Sequence, residues 1–323
     1  MSAREEVTLG VPVHRGRAFV AETLHSIREQ THRDLRVVIS VDGPDPESEE
    51  ACRPFLEDAR FRMVVQPENL GWAQNIGWLM DQVETPFWCY QQQDDLLDPR
   101  YLETLVEHAR TAPKASIVYC DIKTFGDKDA TLAQPSLTGT PFARQLTQLV
   151  ERHAAVAFRG LTRLDALRRV GGVPTNEVGC FSCDTAWVSA AARYGEHHRV
   201  PVSLYFKRYH PAQVHPGWAK WPGERRARAW IVHCADLLDQ AMATDADQAE
   251  RRLLWVAAAA RVVSNRAYPG YLPDSSLSTT GRDDLLETFL RYVRNERAVD
   301  LPRLLGARWR RIRRWARELS LPR

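Results

Sequence analysis

Tyr90-Gln91-Gln92-Gln93-Asp94-Asp95-Leu96-Leu97-Asp98-Pro99 joins a strand-like run, Thr85-Pro86-Phe87-Trp88-Cys89-Tyr90, to a segment that turns helical near Pro99. Carboxylates at the carboxyl end of a strand stand where open α/β sheets bind ligands. Two in a row repel each other unless a cation or hydrogen-bond donors neutralise them. The segment therefore reads as a metal-dependent diphosphate site. A polar loop capping the next helix is the competing reading, because Asp and Pro favour such positions.

Working outward, strand and helix alternate on both sides of this segment. Val7, Leu9, Val11 and Val13 alternate as in a strand. Val20, Leu24 and Ile27 then share one helical face. Leu35 to Val41 is almost wholly apolar, as a strand buried on both faces should be, and Asp42-Gly43-Pro44-Asp45 breaks it. A helix is predicted over 47–59, a short strand over 62–65, and a helix marked by Trp72, Ile76, Leu79 and Val83. After the opening segment come a helix through Tyr101, Leu102, Leu105, Val106 and Ala109 and a strand over 117–120. Such alternation with short connections predicts a mostly parallel sheet flanked by helices. The signal weakens over 130–168, apart from a helix near 142–151, and 202–209 reads as a further strand. From Glu224 the pattern is helical, over 230–242, 247–264, 282–294 and 302–319. These features place a catalytic domain at 1–215 and a helical C-terminal region at 216–323.

The chain has 323 residues, of which 44% are hydrophobic, as in an ordinary globular protein. No apolar run approaches the ~20 residues needed to cross a bilayer, and Met1 to Glu6 lead into a strand without a secretory apolar core. A cytoplasmic protein is expected. Six scattered cysteines suggest buried thiols rather than a disulfide framework, and Cys180-Phe181-Ser182-Cys183 is a lone CxxC with no second pair. Residues 303–323 hold eight arginines and one glutamate, a balance of +7 against +3 for the chain, so the remainder carries −4. A mildly acidic body argues against nucleic-acid binding. Leu305, Trp309, Ile312, Trp315 and Leu319 follow helical spacing among those arginines. That makes a basic amphipathic helix, suited to an anionic membrane surface or to packing on the catalytic domain or a second subunit.

Several segments in this order resemble family 2 glycosyltransferases of the GT-A fold. They are Val7-Thr8-Leu9-Gly10-Val11-Pro12-Val13-His14, Gln30-Thr31, Val41-Asp42-Gly43, Asn69-Leu70-Gly71-Trp72-Ala73-Gln74-Asn75-Ile76-Gly77, Asp94 to Pro99, Arg159-Gly160-Leu161, Val170-Gly171-Gly172-Val173 and Cys183-Asp184. The resemblance covers roughly 7–215. It implies an inverting transfer of a sugar, assisted by Mn2+ or Mg2+, from a nucleoside diphosphate donor to a hydroxyl of a glycan or glycolipid acceptor, as in surface polysaccharide assembly at the inner face of a membrane. UDP and dTDP donors are favoured, with GDP open. By the same resemblance Asp94 is the metal-touching aspartate of a DxD motif, and His210 is a second metal ligand. Asp95 would hold a ribose hydroxyl, a metal water or the neighbouring helix. Gln92 replaces the first aspartate of the motif and brings no charge; Gln93 lies between them. Asp42 would accept a hydrogen bond from the base, or serve as a turn residue. Pro12, Val13 and His14 would line the base and ribose pocket, largely through backbone groups. Asn75 would sit near the diphosphate or satisfy groups within its own helix. Asp184 is the expected general base, and also a fitting N-cap; Cys183 replaces the usual preceding glutamate. Lys207 and Arg208 would offset diphosphate charge, Asp121 would border the acceptor site, and Trp218 and Trp221 are candidate acceptor contacts.

Two other readings remain. A catalytically silent GT-A module that binds a sugar or protein partner is favoured by Gln92 and Cys183 and opposed by Asp42, Asp94 and Asp184. A nucleotidyltransferase would want a glycine-rich phosphate loop and a lysine after the first strand, of which His14-Arg15-Gly16-Arg17 is a poor version.

Overall fold

The computed structural model describes residues 5–151, 155–211, 215–218, 220–264, 272 and 278–297. The basic helix predicted within 303–323 lies outside the described residues. The chain divides into two compact units. One takes residues 5–138, 155–175 and 194–211; the other takes 139–151, 176–193 and the described residues from 215 onward. The division is thus not the single cut near residue 215 that composition suggests.

The first unit is built on a nine-stranded sheet. Its strands are β1 (Val7–Val13), β2 (Leu35–Val41), β3 (Phe61–Val65), β4 (Phe87–Tyr90), β5 (Leu96–Leu97), β6 (Ala115–Gly126), β7 (Thr131–Leu132), β8 (Leu161–Arg163) and β9 (Glu196–Tyr209). They run in the order β3-β2-β1-β4-β8-β6-β9-β5, with β7 against β6. Strands β3, β2, β1 and β4 are parallel, in the register Val7↔Leu35 to Val13↔Val41 and Val7↔Phe87 to Gly10↔Tyr90. Beyond β4 the sheet turns mixed, while its long registers stay parallel as expected. β8 lies antiparallel to both β4 and β6, β6 and β9 are parallel, and β5 is antiparallel to β9. Three residues are too few to show a period, so β8 left no trace in the sequence pattern. Val7, Leu9, Val11 and Val13 have no exposed surface, as befits a central strand covered on both faces.

Helices α1 (Val20–Arg28), α2 (Pro46–Cys52), α3 (Trp72–Asp81), α4 (Tyr101–Thr111) and α6 (Leu164–Val170) belong to this unit. The apolar stripes predicted for α1 and α4 are buried: Val20, Leu24 and Ile27 in one, Leu102, Leu105 and Val106 in the other.

The second unit is helical. It contains α5 (Pro141–Val150), α7 (Cys183–Ala191), α8 (His215–Trp218), α9 (Gly223–Met242), α10 (Gln248–Ser264) and α11 (Thr279–Glu296). Its core joins Leu149 and Phe181 to Trp230, Leu238, Leu254, Val262 and Phe289. Several polar groups entering that core find partners within the unit. The Trp230 indole donates to the Val262 carbonyl at 2.8 Å, and Gln145 pairs with Ser189 through its amide. Arg261 donates to the carbonyls of Gln148, Leu149 and Glu151, which supplies α5 with partners for C-terminal groups that have none inside the helix. Among the described residues no helix is long and apolar enough to cross a membrane. All six cysteines are free thiols, and five are buried.

Candidate active site

In the sheet unit the chain leaves β4 as a turn, residues 91–95, that is tied down on every side. The Gln91 backbone N–H continues the sheet onto the Gly10 carbonyl, and its side-chain amide donates to the Asp95 carbonyl at 2.9 Å. The Thr23 hydroxyl of α1 reaches the carbonyls of Gln93 and Asp95 at 2.8 and 2.9 Å. The Gln93 amide clasps the backbone of His14, accepting from its N–H at 2.8 Å and donating to its carbonyl at 2.9 Å.

The adjacent carboxylates take different parts. Asp95 points inward and is 1% exposed. It accepts from the Tyr205 hydroxyl at 2.8 Å and the Arg208 backbone N–H at 2.9 Å, with the Arg159 guanidinium 3.8 Å away. Burial pushes its pKa up to about 6, against the pull of Arg159. Its oxygens are committed within the protein, which corrects the expectation that Asp95 meets a ribose or a metal water. Asp94 instead meets His210, just past the end of β9, with Oδ2 and Nε2 2.9 Å apart. That separation suits two donors sharing a cation at ~2.1 Å. It equally suits a direct hydrogen bond, with the ring packed at a tilt against Phe19, 4.7 Å between centroids. Among the described residues no group of three or more His, Cys, Asp or Glu is disposed to hold a metal. A cation here would therefore rely on two protein ligands, with phosphate and water oxygens completing its shell, the usual mode for a hard divalent ion.

The neighbouring positions fall into place around this pair. Val13 gives its carbonyl to the Asp42 N–H at 2.7 Å, and the His14 backbone is taken by Gln93. Pro12 and Val13 are buried, and the His14 ring is exposed, near Asn69 Nδ2 at 3.2 Å. Asp42 directly follows β2 and accepts from the backbone N–H groups of Leu70 and Gly71, at 2.6 and 3.1 Å. Gly71, with φ +81°, is the N-cap of α3. Asn75 is 1% exposed, and its amide accepts from the Ser40 hydroxyl at 2.5 Å and donates to the Ser40 carbonyl at 3.2 Å. It joins α3 to β2 and is closed to a diphosphate, again a correction. Gln92 Oε1 accepts from the Tyr90 hydroxyl, which itself accepts from the Trp72 indole at 3.3 Å. Arg208 donates to the Asp94 carbonyl at 3.0 Å and to Glu22 at 2.6 Å, and Lys207 lies over the Tyr209 ring. Asp121 is paired with Arg199 through two bonds of 2.7 Å. Sequence reasoning missed Thr23, Tyr205 and Arg159 as supports, because only the fold brings them to the turn.

Asp184 belongs to the helical unit, in the first turn of α7. One of its oxygens accepts from the Thr185 N–H at 2.8 Å. The approach to α7 is unusual: Gly179, Cys180 and Ser182 all have left-handed φ, at 80°, 56° and 57°. Strain in non-glycine residues of this kind gathers at functional sites. Trp218 and Trp221 pack with Phe181, Trp218 at 4.8 Å between centroids, and so help cover the helical core.

Three comparisons bear on this arrangement. The sequence profile of Glycosyl transferase family 2 matches residues 8–171, just over half of the chain. Two Streptococcus pneumoniae proteins match over 107 residues each. Glycosyltransferase GlyA is 28% identical over 32% of this chain and 15% of its own length. Glycosyltransferase GlyG is 23% identical over 33% of this chain and 36% of its own length. The chain therefore aligns with only a minor part of these curated relatives. Among solved structures, S. aureus TarS 1–349 in complex with UDP-GlcNAc has a TM-score of 0.69 at 13% identity, covering 98% of this chain and 88% of that one. Mannosyltransferase PcManGT from Pyrobaculum calidifontis, in complex with GDP-Man and Mn2+, has a TM-score of 0.57 at 16% identity, covering 98% and 86%. The mixed sheet with its helical C-terminal region, the ordered motifs and the profile match converge: this chain has a GT-A fold and belongs to glycosyl transferase family 2.

Proposed function

We propose that this chain moves a sugar, with inversion at the anomeric carbon, from a nucleoside diphosphate sugar to a hydroxyl of a glycan or glycolipid acceptor in polysaccharide assembly. The observation that carries this reading is the meeting of Asp94 and His210, 2.9 Å apart, on a turn whose other carboxylate is neutralised from within. These two side chains would hold Mn2+ or Mg2+. When bound, such an ion supplies Lewis-acid stabilisation to a departing diphosphate. Asp184 is the proposed base. It takes the acceptor proton as the new bond forms between the acceptor oxygen and the anomeric carbon, while the bond from that carbon to the diphosphate breaks. Each Asp42 oxygen keeps a lone pair beyond those used by Leu70 and Gly71, and we assign these to the base of the donor. The exposed His14 ring would flank the same nucleotide. UDP or dTDP is the favoured carrier and GDP the alternative, the last in keeping with what PcManGT holds.

The test is a thermal-shift screen of UDP, dTDP, GDP and CDP sugars with and without Mn2+, followed by donor hydrolysis. Ligands bound only by the native state raise its apparent stability. One donor should do so and slowly release its nucleoside diphosphate. If no donor shifts the transition, this reading fails. If one binds without any turnover under any acceptor condition, the silent-module reading takes its place. We further assign the basic segment 303–323 to contact with an anionic membrane at its cytoplasmic face. Flotation of the full chain with phosphatidylserine liposomes, against a 1–302 truncation, checks this; equal partitioning removes it.

A further inference from the structure

Gln93 stands next to the proposed metal ligand, yet its side chain faces the nucleotide-lining end of β1. Both halves of its amide are spent on one residue: Oε1 accepts from the His14 N–H at 2.8 Å and Nε2 donates to the His14 carbonyl at 2.9 Å. This two-point contact copies a step of a β-ladder where no strand pairing exists. The backbone on either side is fixed as well. The Gln93 carbonyl accepts from Thr23, and the Asp94 carbonyl accepts from Arg208. Space for the clasp comes from Gly16. A Cβ on that residue would lie 2.5 Å from Gln93 Oε1 and 3.0 Å from a Val13 methyl.

We propose that Gln93 is a positioning residue rather than a ligand contact. It couples the His14 end of β1 to the Asp94 turn, so that the nucleotide side and the cation side of the site are held in one geometry. This rests on the proposed transferase reading. Only a side chain offering a donor and an acceptor on one plane closes both bonds to His14; leucine, of similar size, closes neither. With the clasp intact, a nucleoside diphosphate bound against His14 presents its phosphates to a cation already placed by Asp94 and His210, and the two ligands strengthen each other's binding. Such mutual strengthening is a coupling free energy, equal in both directions. Without the clasp each ligand still binds, but the gain each confers on the other shrinks.

Gly16 provides an independent test. Its added methyl would meet chiefly the tip of a flexible side chain, so Gly16→Ala should dislodge the Gln93 amide and leave every proposed ligand atom in place. Calorimetric titration with UDP, with dTDP and GDP run in parallel, gives the dissociation constant with and without Mn2+ for the wild type, Gln93→Leu, Gly16→Ala and the double variant. The wild type should bind more tightly with Mn2+. Each single variant should lose about fivefold or more of that metal-dependent gain, at the low end of ordinary coupling factors, with metal-free binding changed far less. The double variant should lose no more than the worse single one, because both act on the same clasp. A role in stability alone would lower the melting temperature and leave the metal-dependent gain of the folded fraction unchanged, and that result overturns the proposal. So does a wild type that binds a nucleotide with no gain from Mn2+. A wild type that binds none of the three nucleotides sinks instead the transferase reading on which the proposal stands. Should Gln93→Leu fail to fold, Gly16→Ala decides alone.

Discussion

Asp95 braces the turn of the candidate site through the protein's own groups. Its neighbour Asp94 meets His210 because Asp95, turned inward, anchors the turn to Tyr205 and Arg208. Burial raises its pKa to about 6, above the value near 4 of an unfolded chain. The folded chain therefore holds that proton more tightly. The associated stability is fully present below about pH 4 and is lost as pH rises through about 6, on the order of 3 kcal/mol in all. Asp95→Asn removes this dependence. The melting temperature of the variant minus that of the wild type should climb between pH 4.5 and 7; a flat difference would show that Asp95 titrates normally. Asp184→Asn tests the base. It should lower kcat by about a hundredfold or more, with the donor nucleotide's Kd within about a factor of two. A matching loss of nucleotide affinity would show that Asp184 acts in binding instead. The residues proposed for this chemistry could be named before any coordinates: the Asp94-Asp95 pair, Asp184 and His210 all stand in motifs. The supports could not, since Tyr205 lies 110 residues from Asp95 and Thr23 lies 72 from it, and no periodicity links such positions.

Strands and helices divide along the same line. β1, α1 and α4 were readable because each repeats one side-chain period over seven or more residues, and β2 because it is an almost unbroken apolar run. β5, β7 and β8 have two or three residues and could not be read. The start of β9 was hidden for a different reason. Glu196, His197, His198 and Arg199 look like a polar loop, yet they pair in parallel with 115–119 of β6. Backbone partners, not apolar side chains, hold them there. β1 itself carries a sharp packing constraint. A methyl on Gly10 would stand 2.2 Å from the ring of Trp88, which is 1% exposed. Gly10→Ala should thus cost about 1–3 kcal/mol through overpacking, read as a lower urea midpoint at unchanged slope. A neutral result would mean that the Trp88 ring has another rotamer open to it.

The helical unit gathers segments that lie far apart along the chain. Leu149 of α5 and Phe181, just ahead of α7, are buried in one core with residues of α9 and α10, all within that unit. Composition placed these early helices with the catalytic domain because it registers where hydrophobic residues occur, not what covers them. A fragment ending at residue 215 would keep α5 and α7 without their cover. It should associate on size-exclusion chromatography and bind ANS, whereas a clean monomer with native near-ultraviolet circular dichroism would contradict the division described. The same interleaving bears on how the protein is made. α5 is complete at Val150, but α10 ends only at Ser264. At ribosomal speeds of about 5–20 residues per second, the greasy flank of α5 waits on the order of ten seconds for its covering helices to emerge. During that interval the nascent polypeptide should be open to capture by holdase chaperones. Slowing translation between those two helices should increase misassembly rather than relieve it.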